Sequence, residues 1–496
     1  MLRPSLSRII SSLYSSSPKF HLRLAPPFSH SRVQPSTSLP SLPLRRNMNF
    51  QSRSYPYPVS PFTRTVISCM RQLYPDCLAD KSFDNTGLLV EAPLLPTHNS
   101  RPRNTNKVLL TIDLTRAVAT EAIDHNVSLV VSYHPIIFRG LKSITTNDTQ
   151  QLTISLLLAH GISVYCPHTA VDTVPGGMAD WLCDVVTGRV DDPESEAFTA
   201  QTPSDTEISS DTEVTTSDSD HGYDEGDTLS DASTKPTSHS DAVSDPYVSS
   251  PGPQSPNTPK AKSMRPQTTR RTYSKPTYPR PTSHFHPAVI SHTRSVVNPS
   301  PHDAIEAANE LTRSTKYDSS NTGAGRLISF DAAQSLTLLI TRIAHAIGLP
   351  KGFSMAIPQG VRIEDIQIKT VATCPGSGGS VLSKCRADLI LTGELSHHET
   401  LAVTERGGCV ISLFHSNSER GYLWSVMRDQ LERRARIEWT KLQGENLSNQ
   451  NLSEPERAIL CNHQLVEVLV SEWDRDPYGI VVLDDTPVPG VKLESA

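Results

Sequence analysis

The residues of this chain best suited to chemistry are histidines and carboxylates set a few positions apart. His415 precedes Glu419, His168 precedes Asp172, Glu394 precedes His397 and His398, and His134 stands just before Pro135. Imidazole and carboxylate together form the donor set of borderline divalent ions such as Zn, Mn, Fe or Ni, and a carboxylate can bridge two of them. Any one of these groups by itself reads as an ordinary polar corner. Their recurrence points to a metal site, because burying so many unpaired imidazoles and carboxylates in a core is costly.

To converge, these groups must sit at one edge of a sheet. Cys409 to Phe414 reads as a buried strand between Gly407-Gly408 and Ser416-Asn417-Ser418, which puts His415 at its C-terminal tip. Asn417 or Ser418 then caps a helix over GYLWSVMRDQLERRAR, whose basic residues crowd its last turns. The first half alternates in the same way. SPFTRTVISCMRQLYP reads as a helix with Ser60 as cap and Pro61 at its first position, followed by the strand KVLLTIDLT and the helix TRAVATEAIDHN. The strand VSLVVSYHP ends at His134, the helix DTQQLTISLLLAHG is closed by Gly161, and the strand ISVYCPHTAVD ends at His168 before the helix GGMADWLCDVVTG.

In the second half FDAAQSLTLLITRIAHAIG reads as a helix, IQIKTVATC as a strand, and ADLILTGELSHHE as a strand ending at Glu394. The Gly-rich corner PGSGG between them reads as a tight turn; its other use would be to hold an anion on exposed N–H groups, though it lacks the Lys of a P-loop. Strands alternating with helices predict an α/β class with right-handed crossovers and largely parallel sheets. Ligand sites of such sheets gather at the strands' C-terminal edge.

At 496 residues the chain allows two or three domains, and 36% hydrophobic content is low for one that is folded throughout. Two blocks account for the dilution. Before Asp76 stand ten Lys or Arg and no acid, in a Ser-rich segment whose Leu2, Leu6, Ile9, Ile10 and Leu13 could line one helical face. That composition suits a mitochondrial transit peptide over 1–58; the alternative is a basic disordered tail, and Met48 could start a cytoplasmic form. Asp191 to Ser249 is rich in Ser, Thr, Asp and Glu, and Pro251 to Pro301 has eight Lys or Arg and no acid.

Neither of the latter stretches can bury enough apolar surface to offset its ordering entropy. Residues 191–322 therefore read as a disordered insertion between a first folded half, 59–190, and a second, 323–490. Its basic part reads as a solvated charge run, with no nucleic-acid partner expected. The eight Cys form no CxxC pair and read as buried free thiols of a reducing compartment. No apolar run reaches the ~18 residues of a membrane span, so no membrane partner is expected.

Taken together, FDNTGLLV, VVSYHPIIFRGLKSIT, HTAVDTVPGGMADWL, GAGR, CPGSGG, LILTGELSHHE and LFHSNSERG resemble, in order and spacing, the motifs of the Nif-three-like family. Its members are also called dinuclear-metal-centre proteins or GTP cyclohydrolase one type two homologues. The resemblance covers 60–190 and 323–490, and implies a duplicated α/β fold whose halves enclose a cavity with two divalent ions per chain. It also implies a homo-oligomer, a ring-shaped hexamer built from dimers. By position, His134, Asp172, His415 and Glu419 match the family's metal ligands, with Tyr133, His168, Glu394, His397 and His398 nearby as outer groups or substrate contacts. Many bacterial members carry two adjacent His where this chain has Tyr133 and His134, which leaves one imidazole fewer.

The activity so implied is that of a metal-dependent hydrolase or cyclohydrolase on a nucleotide-like substrate, with Glu394 or His397 moving protons. The alternative is a non-catalytic adaptor whose metal is structural and whose surface or insertion binds protein partners, transcription factors among them. Metal buffering is a third reading.

Overall fold

The computed structural model describes residues 60–94, 105–189, 276–280, 287–348, 351–446, 452–462 and 464–482. They belong to one compact unit, Pro56–Ala496. The segment read as a transit peptide (1–58), and 191–275 and 281–286 of the stretch read as an insertion, lie outside the described residues.

The described strands are β1 (Gly87–Val90), β2 (Lys107–Thr111), β3 (Leu129–Ser132), β4 (Ser163–Cys166), β5 (His292–Pro299), β6 (Gly323–Ser335), β7 (Ser354–Ala356), β8 (Gln367–Ser377), β9 (Leu389–Glu394), β10 (Cys409–Ser412) and β11 (Glu467–Val470). They form two mixed sheets, ordered β1-β4-β3-β2-β11 and β5-β6-β8-β9-β10-β7. Within them β1-β4-β3-β2 and β7-β10-β9-β8 are the same arrangement: three parallel strands with an antiparallel edge strand against the last of them. The duplicated α/β fold expected from the sequence is present in this repeated order.

The inner strands form where the sequence is apolar without alternation. Leu129–Ser132 and Ser163–Cys166 are buried at every residue, as parallel strands covered on both faces must be. Helix starts are set by short polar side chains that satisfy free N–H groups. Asp148 accepts from Gln151 N at 2.9 Å before helix Thr149–Ala159, Ser335 accepts from Leu338 N at 3.3 Å before helix Leu336–Ile347, and Ser396 and Glu399 form a capping box around the start of helix His397–Glu405. Gly161, at φ 71°, takes the left-handed turn after Ala159 that ends the first of these.

Several expectations are corrected. Ser60 precedes helix Pro61–Leu73, but its hydroxyl makes no capping bond. Phe330–Ser335 extends β6 and is not helical, because it continues a strand paired with β8 and Ser335 itself caps the helix. Strand β5 and helix His302–Thr312 fall inside the stretch read as a disordered insertion, so that reading fails for 287–322. Antiparallel pairing with β6, from His292↔Phe330 to Pro299↔Gly323, supplies β5 with backbone partners that its own polar composition does not suggest.

The two halves also interlock beyond the boundaries drawn at 190 and 323. Strand β11, from the C-terminal end, pairs in parallel with β2 of the first sheet, Glu467↔Lys107 to Val470↔Leu110. Helix Pro61–Leu73 meets helix Arg428–Asn446, where Phe62 packs edge-on against buried Trp439 with ring centres 5.3 Å apart. Such a pair contributes about 0.5–1.5 kcal/mol beyond the area it buries. Arg326 of the GAGR motif, only 2% exposed, donates to both oxygens of Asp180 at 2.8 and 3.1 Å and to the carbonyls of Gly323 and Gly325. The side chain of a second-half strand thereby holds helix Met178–Thr187 of the first.

Candidate metal centre

Parallel neighbours end on the same side, so their tips become a row of side chains. Asp113 follows β2 and His134 follows β3, and Asp113 Oδ1 lies 2.9 Å from His134 Nδ1. In the second sheet Glu394 ends β9 and His415 follows β10, with Glu394 Oε1 3.0 Å from His415 Nδ1. A carboxylate only accepts, so each Nδ1 carries the proton and each Nε2 faces the other way. The two imidazoles meet across the halves, with ring centres 5.2 Å apart. Between them stands Glu419: its Oε2 lies 3.6 Å from His134 Nε2 and its Oε1 3.5 Å from His415 Nε2.

These three residues fit a divalent ion on four observations. Their offered atoms all lie within 4.8 Å of one another. The gaps to Glu419 are too long for hydrogen bonds and close to the separation of about 3.4 Å between donors set tetrahedrally around an ion at 2.0–2.1 Å. Glu419 is 1% exposed and its Oε2 has no hydrogen-bond partner, a costly state for a buried carboxylate unless a cation meets it. Burial works against charge on His134, yet the charge of Glu419 and the hydrogen bond His134 donates to Asp113 raise its pKa to about 10. A field that holds an extra proton on an imidazole is one that favours a cation in the proton's place.

The surroundings keep this geometry. Gly376, at φ 60°, lies so close that a Cβ there would sit 2.6 Å from Glu419 Oε1 and 2.9 Å from His415 Nε2. The Gly-rich corner thus makes room for the donors. Ser418, expected as a helix cap, instead accepts from Gly376 N at 2.8 Å and donates to His415 O at 2.7 Å, tying the corner to the tip of β10. Beneath, buried Asp474 accepts from Ile112 N at 2.7 Å and pairs with Arg420 at 3.0 Å, while Asp476 accepts from Ser416 N at 3.0 Å. The segment after β11 therefore binds the first sheet's tip to the second's.

Not every expected site residue joins the triad. His168 has Nδ1 2.6 Å from Asp84 Oδ1, and its ring centre lies 5.4 Å from that of His134 and 5.3 Å from that of Tyr133. The hydroxyl of Tyr133 donates toward both oxygens of Asp172, at 2.9 and 3.0 Å. Loss of water around Asp172 and the charge of Glu419 push its carboxyl well above the usual range. His397 and His398 are exposed at the start of their helix, with ring centres 5.3 Å apart.

Asp113, Asp84, Asp474 and Asp476 were not singled out from the sequence, and Gly376 was read only as part of a tight turn. Asp113 gave a signal of the same kind as the others, an acid just past an apolar strand, and Asp84 stands in the FDNTG motif. Burial pushes Asp113 up, but the hydrogen bond and charge of His134 outweigh it and hold its carboxyl below the usual range.

The Duf34/NIF3 (NGG1p interacting factor 3) family model matches residues 63–446, and the chain belongs to that family. The Schizosaccharomyces pombe "Protein NIF3 homolog" is 32% identical over 363 residues, 73% of this chain and 86% of its own length. "NGG1-interacting factor 3" of Saccharomyces cerevisiae is 28% identical over 372 residues, 74% of this chain and 89% of its own. A solved structure, of a Bacillus cereus protein related to NIF3, is similar over 84% of this chain and 98% of its own at 14% identity and a TM-score of 0.45.

Proposed function

We propose that this protein is a metal-dependent hydrolase or cyclohydrolase acting on a nucleotide-like substrate, with a divalent ion such as Zn, Mn, Fe or Ni held by His134, His415 and Glu419. The observation that carries this reading is the buried carboxylate of Glu419, with an unpartnered oxygen, set between two imidazoles. His134, His415 and Glu419 would hold the ion, which when bound would supply water activation and polarisation of a substrate oxygen. Asp113 and Glu394 hold the two imidazoles by Nδ1, which fixes the tautomers and aims both Nε2 atoms inward. His168, with Nδ1 on Asp84, keeps Nε2 to hold a proton beside the site. His397 stands three residues beyond Glu394 on an exposed helix start, open to a substrate.

Surface chemistry near His168 supports the substrate class. Phe83 and Phe138 are 53% and 46% exposed, with ring centres 6.4 Å apart, and Phe83 packs against the His168 ring. Arg139 and Lys142, on the same loop as Phe138, have no acidic partner among the described residues. Aromatic faces stack on bases and free cations attract phosphate. The test is an assay of metal-loaded protein against a nucleotide panel beside His415→Ala. Turnover lost in the variant is expected; equal inertness of both would sink the reading.

A second reading, a non-catalytic adaptor with a structural metal, is favoured by the yeast relative's name, which describes that protein as an interacting factor. It expects metal removal to disrupt assembly, with no turnover to lose. Either reading is compatible with a homohexamer, protein partners reached through the insertion, and a mitochondrial address, which native mass, pull-down and localisation of the full chain would test. Among the described residues no helix is long and apolar enough to cross a membrane.

A further inference from the structure

We infer that this centre holds a single divalent ion per chain, and that the second position expected from the sequence is closed by the Tyr133–Asp172 pair. The inference rests on reading His134, His415 and Glu419 as metal ligands, and concerns what else can join them. Among the described residues, only that triad brings three candidate donor atoms within 4.8 Å of one another. A second ion beside Glu419 would draw on Asp172, the remaining carboxylate of the expected set. That carboxylate already has a partner: the Tyr133 hydroxyl lies 2.9 and 3.0 Å from its two oxygens.

Tyr133 is not free to leave. It is 3% exposed, its backbone N donates to Thr111 O at 2.8 Å, and its carbonyl accepts from Cys166 Sγ at 3.0 Å. Its ring packs against two imidazoles, with centres 5.0 Å from His134 and 5.3 Å from His168. The side chain thus fills space that a further ligand would need, and its O–H engages the carboxylate that would have to face an ion. His168 does not substitute, since it stands outside the triad's donor group.

The single-ion set that remains is chemically sufficient. Two imidazoles and one glutamate, with a further position open to water, form a ligand set used by hydrolytic zinc sites. A chain with this arrangement has the parts for water activation without a bridged pair of ions.

The test is a metal count on the full chain, stripped with chelator and reloaded with Zn2+ or Co2+, by elemental analysis and native mass. Electron paramagnetic resonance of the Co2+ form reports whether ions are isolated or coupled. One ion per chain with an uncoupled Co2+ signal is expected, unchanged in Asp172→Asn and lost in His415→Ala. Tyr133→His is expected to rise to two ions, and Tyr133→His with Asp172→Asn to return to one. Two ions in the natural chain, with one lost in Asp172→Asn, would overturn the inference and leave the metal reading standing. No ion in the natural chain would overturn both. A folded Tyr133→His that stays at one ion would show that the pair is not what closes the position; should that variant not fold, the counts on the natural chain and Asp172→Asn decide.

Discussion

The tips of β4 and β10 carry the same spacing, a histidine followed four residues later by an acid, and they use it differently. Counted from the first residue of each strand, His168 and Phe414 share a position, and both have left-handed backbone, φ 33° and 67°. The two His–acid pairs are therefore offset by one residue with respect to the turn. In the first half the bend falls on the histidine itself, which turns to buried Asp84, while Asp172 is taken by Tyr133. In the second half the bend falls on Phe414, and His415 and Glu419 follow it into the space between the sheets. Glu419 keeps an oxygen without a partner. The duplicated fold thus built two similar corners, one closed by internal hydrogen bonds and one open to a cation. A non-glycine residue in this backbone region costs about 1–3 kcal/mol, so both bends are held by their surroundings.

Substitutions at six positions would break or sharpen that contrast. Arg326→Ala strikes the join between the halves by leaving Asp180 half-buried without its guanidinium. A loss of about 3–5 kcal/mol of folding stability is expected in denaturant titration, and a loss below ~1 kcal/mol would mean the other joins between the halves suffice without it. Glu419→Ala should weaken metal binding by more than the roughly 10–100-fold typical of residues behind the ligands, read by competition with a chromophoric chelator. Asp172→Asn in the same assay should leave binding unchanged; equal losses would make the two corners alike.

The supporting carboxylates should rank by their access to water. Asp113→Asn is expected to weaken binding roughly 10–100-fold, because Asp113 sets the tautomer of half-buried His134. Glu394→Gln should cost less than about tenfold, since its side chain is 55% exposed and water can take its place. The reverse order would assign the dominant imidazole to the second half. Tyr133→Phe acts on stability and not on the triad, because it deprives Asp172 of its hydroxyl partner. About 1–3 kcal/mol of stability should be lost from the metal-free protein, with the first ion's affinity unchanged. No change in stability would mean that the first corner is not closed by this bond.

Much of this was readable from residue types because it follows from local chemistry. Apolar runs such as Leu129–Val131 can only be buried strands when turn-forming residues bound them, and a histidine just past such a run stands at a sheet edge wherever the sheet lies. His134, His415 and Glu419 were legible for that reason, as were the parallel inner strands and the closing of helix Thr149–Ala159 at Gly161. What stayed hidden depended on partners distant in sequence. β5 is polar and becomes a strand through β6; β11 is four residues long and is completed by β2, whose sequence lies more than three hundred positions earlier.

The same division runs through the site. By itself the sequence determined which donors are present, that they cluster at strand ends, and that their mixture of imidazole and carboxylate suits a borderline divalent ion. Only the tertiary structure decided which carboxylate stays open. Asp172 and Glu419 are equivalent by spacing, but a one-residue offset at the bend turns one toward a tyrosine hydroxyl and the other between two imidazoles. Side-chain direction at a strand tip depends on backbone turn and neighbouring packing, and those are properties of the folded pair of sheets.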